Sequence, residues 1–85
     1  MPMPRISRDM PRETVKRIMK KALGDRFLVS NKALDKLCDF LEDLIKEIAI
    51  ESAKVTAYTK RKTILERDIE FVLEDVEKIA GKVVG

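Results

Sequence analysis

The chain has no histidine and no tryptophan, one cysteine, three glycines and three prolines in 85 residues. Each shortage closes a class of function. Without histidine there is no Ser-His-Asp triad, no His-based acid–base pair and no histidine-ligated zinc. The single cysteine, Cys38, cannot form an internal disulfide, which fits a reducing cytoplasm. It lies on an apolar helical stripe with no basic neighbour in register, so it reads as a small core residue rather than a reactive thiol. No Gly-rich phosphate loop is present, and acidic neighbours such as Glu42 and Asp43 sit on a mixed-charge helix face. No uncharged apolar run approaches the ~18 residues of a membrane span. Pro2, Pro4, Arg5, Arg8 and Asp9 interrupt any signal-like stretch near the start. The expectation is a protein that is not an enzyme, with no metal, no cofactor, no small-molecule substrate and no membrane.

What is present is charge, and it is unevenly placed. The net +3 of the whole chain divides into +5 over residues 1–29, −2 over 30–58, +3 over 59–64 and −3 over 65–85. Basic charge therefore gathers in the N-terminal third and in one short loop. Such asymmetry points to a face that binds a polyanion rather than to a uniformly basic surface. A solvated mixed-charge surface is the blander alternative.

Residues 1–10 contain two prolines and no periodicity and read as an extended or disordered tail, in which Arg5 and Arg8 could touch phosphate. A first helix is expected to begin at Pro11, since proline suits the first helical position and pushes Met10 to an extended conformation. Val15, Ile18, Met19, Ala22 and Leu23 form its apolar stripe, with Lys16, Arg17, Lys20 and Lys21 off it, and Gly24 should end it. Those cations serve either solvation or nucleic-acid contact. The loop to Val29 holds Asp25 and Arg26, and Phe27, Leu28 and Val29 are apolar enough that they should pack. Ser30 should cap the second helix, with Lys32 in its first turn.

That second helix should run from Asn31 to Tyr58, because no Pro or Gly occurs inside it. At ~1.5 Å per residue it would be about 40 Å long. Its apolar face includes Leu34, Leu37, Cys38, Leu41, Leu44, Ile45, Ile48, Ala49 and Val55. Two short flanking helices cannot cover a stripe of that length, so a second copy of the chain is expected to cover the rest, through Leu37, Leu41, Leu44, Ile45 and Ile48. A coiled coil is the alternative, against which the breadth of the face counts. A third helix should span about Leu65 to Ala80, with Leu65, Ile69, Val72, Leu73, Val76 and Ile79 inward and Gly81 as its stop. One domain over 11–80 is expected, between a tail at 1–10 and another at 81–85.

Between the second and third helices lies Lys60-Arg61-Lys62-Thr63-Ile64, three cations in a row without an acid. Arg61 and Asp68 stand seven apart, and the aspartate falls in the first turn of the next helix. A carboxylate there suits a helix N-terminus and can hold an arginine reaching back. A braced, positively charged loop of this kind suits phosphate.

With a long helix before it and a short one after it, the run Arg61-Lys62-Thr63-Ile64 followed by Asp68 resembles the second loop and third helix of histone-fold proteins, archaeal histones most closely. The resemblance covers about residues 11 to 80. It implies an all-α histone fold of short, long and short helices, with two chains interlocked in a handshake homodimer that binds double-stranded DNA along one curved face. The protein would then be cytoplasmic and chromosome-associated. The family brings loops and helix N-termini to that face, which nominates Lys60, Arg61, Lys62, Thr63, Arg26, Arg12, Lys16, Lys20, Ser30 and Lys32 as DNA contacts. Lys62 and Thr63 occupy its contact positions, and Arg61 and Asp68 match its internal salt bridge.

The sequence departs from the family pattern twice. The family commonly places an arginine just before the valine that ends the first loop and inserts it in the minor groove; here that residue is Leu28, with Arg26 two residues earlier. Many archaeal histones carry a histidine where this chain has Tyr58, at the contact through which dimers stack. Phe71 lies about 100° or more from the centre of its helix's inward stripe. Tyr58 and Phe71 together are candidates for contact between dimers, to a tetramer or beyond. Three functions compete: a DNA-compacting histone without strong sequence preference, a histone-fold subunit of a heteromeric transcription or centromere-like complex, and a helical interaction protein with no nucleic-acid role.

Overall fold

The structure, a computed structural model, describes residues 10–84. The readings that fall on residues 1–9, including Arg5 and Arg8, and on Gly85 lie outside the described residues. The described residues form four α-helices and no strand: α1 (Arg12–Leu23), α2 (Asn31–Tyr58), α3 (Glu66–Leu73) and α4 (Val76–Val84), with one 3-10 turn at Gly24–Arg26. The fold is all-α. Among the described residues no helix is long and apolar enough to cross a membrane. The chain divides into two compact units, Met1–Glu42 and Asp43–Gly85, and α2 gives one half to each.

In the first unit, α1 starts one residue later than expected. Pro11 is its N-cap, with φ −74° and an extended ψ of 94°, and its carbonyl accepts the first bond from the Val15 amide at 3.1 Å. Glu13 in the first turn and Lys20 and Lys21 in the last oppose the helix dipole. Gly24 ends the helix at φ 69°, where a side chain would crowd the backbone. Val15, Leu34 and Cys38 are the buried centre, and Met10, Met19, Val29, Leu37 and Leu41 pack around it. Cys38 is thus core, and Met10, expected in the tail, belongs to the packed part. The expectation that the first loop packs holds for Val29 only. Phe27 is 63% exposed and Leu28 96% exposed.

The start of α2 follows from its cap. The Ala33 amide donates to Ser30 Oγ at 3.1 Å and the Leu34 amide to the Ser30 carbonyl at 3.0 Å.

In the second unit the buried residues are Ser52, Thr56 and Asp68 alongside Val72 and Ile79. The expected third helix is two helices. At Glu74–Asp75 the chain tightens: the Asp75 amide bonds back three residues to the Val72 carbonyl at 3.1 Å. The Asp75 carbonyl then accepts from Lys78 at 3.0 Å and Ile79 at 3.4 Å, which starts α4. Aspartate is a favoured residue at such a start. Leu65 is the N-cap of α3 rather than its first residue. Gly81 does not stop the helix either. It lies inside α4, which runs on to Val84, so the expected tail from residue 81 is helical through Val84. Glycine ends a helix by taking a left-handed conformation, and Gly81 does not take one. Burial of Ile79 and an ion pair from Lys82 to Glu51 at 3.3 Å hold α4 in place, so packing overrides the weak helix propensity of glycine.

Candidate nucleic-acid interface

The loop between α2 and α3 is held by a dense set of hydrogen bonds. α2 ends in a Schellman motif: the Lys60 amide donates to the Ala57 carbonyl at 2.9 Å and the Arg61 amide to the Thr56 carbonyl at 3.2 Å. Lys60 occupies the left-handed position of that motif, at φ 58°. The Thr59 hydroxyl adds a bond to the Thr56 carbonyl at 2.9 Å.

From there Arg61 turns inward. Its Nη2 donates to Asp68 Oδ1 at 2.9 Å and its Nη1 to Asp68 Oδ2 at 3.1 Å, a two-point carboxylate pair. Nη1 also donates to the Thr63 carbonyl at 3.1 Å, and Nε to the Thr59 hydroxyl at 2.9 Å. Of the five N–H donors of a guanidinium, four are therefore engaged within the loop. Asp68 is 2% exposed. Its Oδ2 also accepts from the Leu65 amide at 2.9 Å, while the Asp68 amide donates to the Leu65 carbonyl at 2.9 Å. The Thr56 hydroxyl lies 2.9 Å from Asp68 Oδ2 and 2.9 Å from the Ser52 carbonyl. It has one proton, so it serves one of these acceptors at a time.

The charge states follow. The hydrogen bonds from Arg61, then the one from the Leu65 amide, hold the Asp68 carboxyl far below the usual carboxylate range against the opposing effect of burial. The same pair raises Arg61 above its ordinary value. Both groups are ionised wherever the protein is folded near neutral pH.

With Arg61 occupied, the outward charge of this loop comes from Lys60 and Lys62, both exposed, with Thr63 exposed beside them. In the first unit, Arg12, Lys16 and Lys20 are spaced four apart and share one face of α1. Like charges at that spacing repel, and a polyanion relieves this. Lys16 and Lys20 line a shallow groove with Glu13 and Arg17, whereas Arg12 is ion-paired to Asp35 at 2.9 Å. Arg26 is exposed at the end of the 3-10 turn. Ser30 and Lys32 lie at the start of α2, whose first turn contains no acid, so its dipole is open to an anion.

The residues nominated for contact between copies are placed as follows. Leu37, Leu41, Leu44 and Ile48 are half-buried and Ile45 is exposed. Tyr58 is 90% exposed and Phe71 61% exposed. They line one depression of about 330 Å³ with Lys54, Val55 and Thr59.

Sequence reasoning did not find Thr56 or Thr59 in the loop network. The available signal was a pair of hydroxyl residues, Ser52 and Thr56, four apart at buried positions of an otherwise apolar helix face. It also missed Glu51, which bonds Lys54 at 3.2 Å and Lys82 at 3.3 Å and whose carboxyl those lysines hold below its ordinary value. Among the described residues no cluster of His, Cys, Asp and Glu could hold a metal ion.

The chain belongs to the family of histone-like transcription factors (CBF/NF-Y) and archaeal histones, whose pattern it matches over residues 8–73. It is similar to the DNA-binding protein HmvA of Methanocaldococcus jannaschii, with 44% identity over 64 residues. That match takes in 72% of this chain and 62% of the relative, so the shared stretch is under two thirds of the relative's length. No solved structure matches the chain significantly. The family is in general not one of enzymes.

Proposed function

We propose that this protein is an archaeal-type histone that binds double-stranded DNA with little sequence preference and compacts it. The observation that carries the reading is the second loop. Arg61 and Asp68 brace it internally, and what it presents outward is Lys60, Lys62 and Thr63, groups suited to bonding phosphate oxygens. The basic stripe of α1, Arg26, and Ser30 and Lys32 at the start of α2 supply further phosphate contacts. The protein acts as a cytoplasmic, chromosome-associated binder without catalysis, cofactor or small-molecule substrate.

The DNA-binding form is a handshake homodimer. In the single chain Leu37, Leu41, Leu44 and Ile48 are only half-buried and Ile45 is exposed, and a second copy covers them. Dimers associate further through Tyr58 and Phe71, whose contact has no histidine and so does not change between about pH 6 and 8. The heteromeric alternative has one support, since the family description itself includes transcription factors.

The decisive experiment titrates salt against binding to two unrelated duplexes and follows the mass of the free protein. Equal affinity for both, falling by about 0.9 log units per phosphate contact for each log unit of salt, supports the histone reading when the protein is a dimer. A stable folded monomer, or assembly only with a different subunit, rejects the homodimer. Indifference to DNA at low salt rejects the function.

A further inference from the structure

The lysine that ends α2 is in the wrong conformation for a lysine. Among the described residues Lys60 is the one non-glycine residue with positive φ, at 58°. A side chain there crowds the following carbonyl oxygen, and glycine or asparagine is the usual occupant. Asparagine earns the place by bonding its own backbone; lysine has no short polar group with which to do so. Where α1 ends the chain also takes a positive φ, 69° at Gly24, and there the residue is glycine.

Among the described residues no side-chain contact explains the exception. Among the described residues the Lys60 ammonium makes no ion pair, and the side chain is exposed. The two backbone bonds of the motif, from the amides of Lys60 and Arg61, would form equally well with glycine. Strain without an internal compensation points outward, to a ligand. The neighbouring charge sharpens this. Arg61 spends four donors inside the loop, so of three consecutive cations only the first and third face solvent. The left-handed turn at Lys60 is also what reverses the chain so that Arg61 can reach Asp68. One position therefore has to serve two demands, a backbone that favours glycine and a charge that glycine lacks.

We propose that Lys60 is a phosphate-contacting residue of the DNA interface, retained in a strained left-handed conformation for its charge at the expense of fold stability. The proposal rests on the reading of this chain as a DNA-binding protein and adds to it which cation of the loop is held against the preference of the backbone. It makes stability and DNA affinity oppose one another at this position, whereas at Lys62, which has no such strain, only affinity is at stake.

The experiment uses the full chain and four single variants: Lys60→Gly, Lys60→Ala, Lys60→Arg and Lys62→Ala. Each is measured for its melting midpoint and for binding to two unrelated duplexes across a range of salt. Lys60→Gly is expected to melt about 4 °C higher and to bind both duplexes more weakly, with a log–log salt slope smaller by about 0.9. Lys60→Ala should lose the same slope without the gain in melting, because alanine is as crowded there as lysine. Lys60→Arg should keep both properties of the unaltered protein. Lys62→Ala should lose slope and leave the midpoint in place. A Lys60→Gly protein that melts no higher, or that keeps the full salt slope, overturns the proposal. If the unaltered protein itself shows no salt-dependent binding, the DNA reading falls and takes this one with it; if it binds and Lys60→Gly binds identically, only the role of Lys60 falls.

Discussion

Between α1 and α2 the chain leaves Phe27 and Leu28 in solvent; between α2 and α3 it presents Lys60 and Lys62 and turns Arg61 inward. The first loop is shaped by a glycine, a single 3-10 turn and the Ser30 cap. The second is shaped by a buried carboxylate that accepts bonds from Arg61, Leu65 and Thr56. The units around them differ in the same way. The buried centre of the first is Val15, Leu34 and Cys38, all apolar, while the second buries Ser52, Thr56 and Asp68 beside Val72 and Ile79. Apolar packing fixes a volume and tolerates adjustment. A hydrogen-bonded carboxylate fixes directions and tolerates little. A loop whose exposed groups must hold fixed directions gains from the second kind of support. A loop of exposed apolar residues is instead a surface still to be covered.

The largest effect on this contrast should come from Leu34→Ala, which opens a cavity in the first unit. A buried leucine truncated to alanine costs about 2–5 kcal/mol, a large share of what so small a chain has. Denaturant unfolding measures it, and a shift of the midpoint too small to separate from the unaltered protein would mean that the apolar centre is not what holds the first unit.

A smaller effect, and a different signature, is expected from Asp68→Asn. The amide keeps the shape, but its NH₂ faces the donors of Arg61. Stability should fall by less than in Leu34→Ala, while amide exchange quickens from Thr59 to Leu65 and DNA binding weakens. The pH dependence identifies the group. Because folding holds the Asp68 carboxyl below its ordinary value, its contribution is complete above the unfolded value of about 3.9 and is lost as the pH falls through the lower folded value. The difference in melting between the unaltered protein and Asp68→Asn should therefore be constant from pH 7 to about 5 and close below about 4. A difference that stays constant into strong acid would assign the stabilisation elsewhere.

The smallest effect tests the other loop. Leu28→Arg replaces the most exposed apolar side chain of the first loop with a cation. It should leave the melting midpoint nearly unchanged, as surface substitutions do, and increase the salt slope of DNA binding by about 0.9. An unchanged slope would place this position away from phosphate.

The sequence shows unequally what the structure contains. The start and continuity of α2 could be read because their signals are local: Ser30 before it, and no glycine or proline inside it. The pairing of Arg61 with a first-turn aspartate could be inferred because opposite charges seven apart flank a helix start. The break at Glu74–Asp75 could not, since the apolar periodicity of Val72, Val76 and Ile79 runs through it and the tightening is a backbone event. Gly81 and Lys60 mislead in opposite directions. The glycine expected to stop a helix continues one, and a lysine takes a left-handed turn of which glycine is the usual occupant. Thr56 was hidden because a threonine on a helix face announces neither burial nor a partner twelve residues on.

The Schellman turn and the Asp68 brace exist in the single chain before any ligand arrives. Loop ordering is usually part of the cost of association, and here that part has been met during folding. When this loop docks, the heat and entropy exchanged should come chiefly from released counterions and displaced water, with little change in heat capacity from its own backbone. Its encounter with a polyanion should accordingly resemble the docking of a rigid body, limited by diffusion and charge rather than by a search through loop conformations.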